Sequence, residues 1–133
     1  GYGGESRVYE MPGSNGMLGR LASWDLGTMK ERWSHKQRAM FLTGVLTTAG
    51  KLAFVGDVDR YFKAFDVETG KVVWQTRLGA ALHGFPVTYA VKGRQYVAVQ
   101  TGMGVFKLLT AQQSPELYQP NGGNQVYVFE LAE

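Results

Sequence analysis

The chain has 133 residues, a net charge of +3 and a composition that is 44% hydrophobic and 19% charged. That is enough apolar material for a real core and too little charge for a disordered chain. With no cysteine, a disulfide framework and a Cys-based metal site are excluded. No run approaches the roughly 18 apolar residues of a membrane span, so none is expected. The basic residues are scattered through turns, and nucleic-acid binding, which needs a larger one-sided patch, is set aside. The densest run, 30–38, includes Glu31 and alternates charged with apolar side chains, as a strand with one solvated face does. The chain starts at Gly1 and shows no signal peptide, so a processed or truncated N-terminus is expected.

In chain order, the Gly-containing residues 1–16 read as a loop or linker. Residues 18–25 and 30–36 alternate as the two arms of a hairpin. Residues 45–49, 52–57, 61–66 and 71–77 follow as four consecutive antiparallel strands. Residues 85–91 and 95–101 begin another such unit. Residues 102–124 form a long Gly-, Gln- and Pro-containing loop, of a length usually reserved for function or disorder. The alternation of 125–131 closes the chain with a last strand. No long stretch repeats every 3.6 residues, so little helix is expected.

An internal repeat sets the architecture. Ser23-Trp-Asp-Leu-Gly-Thr-Met-Lys-Glu-Arg-Trp33 aligns, 41 residues on, with Ala64-Phe-Asp-Val-Glu-Thr-Gly-Lys-Val-Val-Trp74. Asp25, Thr28, Lys30 and Trp33 recur as Asp66, Thr69, Lys71 and Trp74, and Leu46-Thr-Thr-Ala49 recurs as Val87-Thr-Tyr-Ala90. An aromatic residue ends a strand, Asp and Thr bond backbone amides in a tight turn, Gly70 supplies a permissive φ, and the Trp packs between adjacent sheets. Met29 in place of the glycine implies a looser turn, or one of another type. A period near 40 with Gly and aromatic punctuation points to propeller blades. The fold class is therefore all-β: a partial β-propeller of about two and a half four-stranded antiparallel blades. Closure typically takes four to eight blades. An open set leaves two sheet edges bare, so the remainder of a larger propeller, or self-association through the open edges, should cover them.

The stretch Gly44 to Trp74, followed by Phe85-Pro-Val-Thr-Tyr-Ala-Val-Lys-Gly-Arg-Gln-Tyr-Val-Ala-Val99, resembles the C-terminal end of the pyrroloquinoline-quinone (PQQ) dependent alcohol dehydrogenases. The Pro-x-Thr-Tyr and Gly-x-Gln-Tyr-Val-Ala stretches and the Leu18 to Asp25 segment carry the likeness, which spans about Asn15 to Thr101. The resemblance implies an eight-bladed propeller in which PQQ lies near the axis beside a calcium or lanthanide ion. It further implies an Asp base, a cytochrome electron acceptor and a periplasmic location. The metal ligands, the catalytic Asp and the paired cysteines lie upstream of this region, so no catalytic or metal-binding residue is assigned here. Residues 1–133 correspond to the C-terminal part of the propeller. Leu42 and Thr43 correspond to a loop facing PQQ, Leu42 standing where some members have Trp. Gly104, Val105 and Phe106 belong to a loop covering the cofactor, with Phe106 where Trp is common and Val105 where Gly is common.

Other residues read as structural. Asp25, Asp57, Asp59 and Asp66 occupy turn positions, His83 a loop, and His35 a solvent-facing strand position. Met103 and Phe106 either touch a cofactor or plug the axial channel. Three readings compete: a segment of a quinoprotein dehydrogenase, a non-catalytic propeller of similar repeat acting as a protein-binding scaffold, and an independently expressed fragment that oligomerises through its open edges.

Overall fold

The computed structural model describes residues 9–102, 104 and 106–131. Strands β1 (Gly19–Asp25) and β2 (Lys30–Gln37) form an antiparallel hairpin. Strands β3 (Leu46–Thr47), β4 (Leu52–Gly56), β5 (Tyr61–Asp66) and β6 (Val72–Arg77) form a complete four-stranded antiparallel sheet in sequence order. Strands β7 (Val87–Val91), β8 (Arg94–Thr101) and β9 (Gln125–Glu130) form a third, three-stranded sheet. The architecture is the partial propeller expected: half a blade, one whole blade, and three strands of the next.

The repeat is reproduced in backbone detail. Ser23 faces Trp33 and Ala64 faces Trp74, and a β-bulge follows each pair, between Ser23 and Trp24 and between Ala64 and Phe65. In the first turn, Thr28 donates its N–H (2.8 Å) and its hydroxyl (3.0 Å) to Asp25 Oδ1. In the second, Thr69 does the same to Asp66 Oδ1, at 2.7 and 2.9 Å. These bonds hold both aspartates below the usual carboxylate range. The first turn keeps this clamp but is the looser of the two, as Met29 implied: the Gly70 N–H to Asp66 O bond of the second turn, at 2.9 Å, has no counterpart at Met29 among the described residues. Met29 takes φ 54° where Gly70 takes φ 71°, so the first turn carries left-handed strain at Met29.

Strands β4 and β5 are buried on both faces, which is why they read as nearly continuous apolar runs. One face carries Phe54, Phe62 and Ala64 against Val97 and Val99 of β8, with Phe129 of β9 at the margin. The Trp74 ring meets Phe62 at 6.2 Å and Phe129 at 5.3 Å, both edge-on. The opposite face carries Ala53, Val55 and Phe65 against Leu21 and Phe41. Phe62 and Phe65 are fully buried, each contributing roughly 1.5–3 kcal/mol through apolar area removed from water.

Two expectations are corrected by this arrangement. His35 is half-buried and not simply solvent-facing: its ring packs edge-on against Phe65 at 5.0 Å, and burial pushes its pKa down. The segment 102–124 is not loop throughout, since it carries helix α1 (Phe106–Gln113). The helix escapes a periodicity search because its faces are inverted: Thr110 is buried while Leu108 is 70% exposed. In the described part of the N-terminal segment, Ser14 and Gly16 bond the Glu10 carboxylate. Residues 1–8 lie outside the described residues.

Asp57 does more than close a turn. It accepts the Tyr61 N–H at 2.9 Å, and it pairs with the Lys63 ammonium at 2.8 Å while only 1% exposed. Gln37 of β2 donates to Asp57 Oδ2 at 3.0 Å and accepts from Lys63 Nζ. Because both charges are paired and further hydrogen-bonded, the pair survives burial. It also ties the first hairpin to the central sheet.

Candidate functional site

Two loops carry the chain from an edge strand into the next blade: 38–45 after β2, and 78–86 after β6. They are copies of one another. Phe41 bridges Asp57 and Leu82 bridges Thr101. Val58 N–H donates to Met40 O at 3.0 Å and Gly102 N–H to Ala81 O at 2.8 Å. At their ends the two loops join, Thr43 bridging Gly84 in parallel and Gly44 N–H donating to Gly84 O at 2.7 Å. The starts of two successive blades therefore form a single lip.

The residues singled out from sequence distribute around this lip. Leu42 is half-buried against Ala39, Val58 and Ala81, with Leu117 beside them. Thr43 accepts the Gly56 N–H at 2.7 Å through its hydroxyl, which fixes the loop against β4. Gly104 is exposed at φ 50°, and its carbonyl accepts the Lys107 N–H at 3.4 Å as α1 opens. Phe106 is the first residue of α1, 41% exposed, with its ring 6.1 Å from His83. The fold thus connects Thr43 to Phe106 through Gly84 and His83, whereas Leu42 is partly committed to the core. Val105 and Met103 lie outside the described residues.

Two polar neighbours converge on Gly102: His83, read from the sequence only as a loop residue, and Asn124, which sequence reasoning passed over. That glycine has φ 134°, and a Cβ on it would collide with Asn124 Oδ1 and lie 3.8 Å from His83 Nε2. Only glycine fits a backbone approached this closely. No sequence motif announces the cluster, because its members come from three separate segments. An apolar cavity of about 350 Å³ lies elsewhere, between Phe62, Trp74, Val97 and Phe129 beside β9. It is a gap between blades and not part of the lip.

None of Leu42, Thr43, Gly104, Val105 and Phe106 carries a charge. Against a flat, carboxylate-bearing quinone they could exclude water and limit tilt, but not neutralise its acids. Among the described residues, no group of three His, Cys, Asp or Glu side chains could hold a metal ion. No described helix is long and apolar enough to cross a membrane.

The sequence matches the family model described as glucose/ethanol/alcohol dehydrogenase, beta-propeller domain, over residues 14–97. It is 36% identical, over 115 residues covering 86% of this chain, to the quinoprotein alcohol dehydrogenase PedE of Pseudomonas putida. It is 38% identical, over 73% of the chain, to a 1-butanol dehydrogenase (cytochrome c) of Thauera butanivorans. Those alignments span 18% and 14% of the two relatives, so the chain corresponds to under a fifth of their length. Among solved structures, a europium-containing methanol dehydrogenase superposes with a TM-score of 0.72 at 31% identity, covering 84% of this chain and 23% of that one. Repeat, blade geometry and sequence agree: the chain belongs to the PQQ β-propeller family of glucose, ethanol and other alcohol dehydrogenases.

Proposed function

We propose that this chain forms one side of the cofactor chamber in a periplasmic quinoprotein that oxidises alcohols, with PQQ as cofactor and a cytochrome as electron acceptor. The likeness to PedE over 86% of the chain carries the reading. The lip at which Thr43 meets Gly84, beside His83 and Phe106, supports it. PQQ, when bound, supplies the acceptor for the hydride of the alcohol. Leu42, Thr43, Gly104, Val105 and Phe106 line its surroundings. Thr43 holds its loop to β4, Phe106 and Leu42 keep water from the ring, and the two loops fix the width of the lip. The base, and the groups that hold calcium or a lanthanide, belong to the rest of the parent protein, which also covers the open blade edges. In its absence, the chain covers them by self-association.

Two measurements test this reading. In the full-length parent, Phe106→Ala and Thr43→Asp are expected to weaken PQQ retention, read by the quinone absorbance of the purified protein. The 1–133 chain with added PQQ and calcium is expected to give no alcohol-dependent dye reduction. Turnover by the chain alone would overturn the placement of the catalytic groups. The aliphatic Leu42, at a position where some family members stack an indole, favours the scaffold alternative. A full-length parent that takes up no PQQ would establish that alternative.

A further inference from the structure

The chain holds two Asn-Gly steps, Asn15-Gly16 and Asn121-Gly122. This dipeptide is chemically labile because the glycine nitrogen, unhindered by a side chain, can attack the asparagine side chain. The two steps stand in opposite surroundings. Gly16 N–H donates to the Glu10 carboxylate at 2.5 Å. That bond occupies the would-be nucleophile, and the facing negative charge disfavours losing its proton. Gly122 N–H has no hydrogen-bond partner among the described residues. Both Asn121 and Gly122 are exposed, and nothing lies within 4 Å of where a Cβ on Gly122 would be, so there is room for ring closure. The Lys107 ammonium donates to Asn121 Oδ1 at 2.5 Å, the atom on which negative charge builds during attack.

We infer that Asn121 is a site of spontaneous deamidation, assisted by Lys107, and that Asn15 is protected by Glu10. Gly122 N, losing its proton to solvent, bonds to Asn121 Cγ. The resulting oxyanion is held by Lys107. Nδ2 takes up a proton and leaves as ammonia, giving a five-membered imide. Water then opens either carbonyl, leaving aspartate or isoaspartate at 121. Asn121 lies two residues from Gly123, whose carbonyl accepts the Thr101 hydroxyl at 2.5 Å and on which a Cβ would meet Ala80 Cβ at 2.8 Å. The isoaspartyl product lengthens the backbone there by one methylene, so ageing of this loop would displace the segment leading to Asn124 and the lip.

The test is peptide mapping by mass spectrometry of the 1–133 chain, incubated at mildly alkaline pH with its fold followed by circular dichroism. In the folded chain Asn121 is expected to deamidate about tenfold faster than Asn15, a barrier difference of about 1.4 kcal/mol. In denaturant the two rates should converge. Lys107→Met should slow Asn121 severalfold and leave Asn15 unchanged. Glu10→Ala should speed Asn15 and leave Asn121 unchanged. Equal rates in a chain shown to be folded, or indifference of Asn121 to Lys107→Met, would overturn the inference.

Discussion

Trp33 lies over Gly70: a Cβ on that glycine would come within 2.5 Å of the indole, whose N–H donates to Val67 O at 2.9 Å. One blade's tryptophan is thereby docked on the next blade's turn. Glycine relieves the strain of a positive φ there, which Met29 bears in the first turn, and it alone leaves the bare surface under the ring.

The two copies of this turn should respond oppositely to mutation. Gly70→Ala combines left-handed strain with overpacking and is expected to destabilise by roughly 2–4 kcal/mol. Met29→Gly, at the equivalent but open position, relieves strain and should be neutral or stabilising by up to about 1 kcal/mol. Urea denaturation of both variants checks the contrast.

The Asp57–Lys63 pair predicts a non-additive cycle. Asp57→Ala strands a buried ammonium, and Lys63→Met a buried carboxylate. Each is expected to cost about 3–5 kcal/mol. The double variant should cost less than the sum of the two, which equilibrium unfolding of all four chains would show.

His35 makes stability depend on pH. Burial lowers its folded-state pKa, the nearby Lys63 charge adds to this, and a hydrogen bond with Gln37 opposes it. The unfolded chain therefore binds the proton more readily than the folded one. The contribution is whole above the ordinary histidine pKa of about 6.5 and is lost as pH falls below it. His35→Phe, which keeps a ring against Phe65, should flatten the unfolding free energy between neutral and mildly acidic pH. An unchanged slope would assign the dependence to another group.

The third sheet leaves one face open. Val87, Tyr89, Val91, Val126 and Val128 are all exposed there, while Val97, Val99 and Phe129 fill the other face. Light scattering of the 1–133 chain is expected to report oligomers. Tyr89→Lys combined with Val128→Lys should shift them toward monomer. A monodisperse wild-type monomer would show that this face needs no cover.

Much of this was legible along the chain because blades are local. The strands of one blade follow one another, so period-two alternation and the 41-residue repeat expose them directly. Helix α1 was hidden because eight residues with Thr110 inward and Leu108 outward carry no apolar stripe. His35 was misplaced because its strand looks half-solvated until β5 brings Phe65 against it. The lip was only half visible: Thr43 and Phe106 came from family likeness, whereas His83 and Asn124 meet at Gly102 through contacts distant in sequence.

The amino-acid sequence by itself determined the blade, its turns and its family. These rest on hydrogen bonds and side-chain alternation within a few tens of residues. Tertiary structure alone decided which groups are buried and which meet: the Asp57–Lys63–Gln37 knot, the docking of Trp33, and the glycine-lined lip. Burial and close approach belong to surfaces brought together from separate segments, and no local pattern encodes how those surfaces fit.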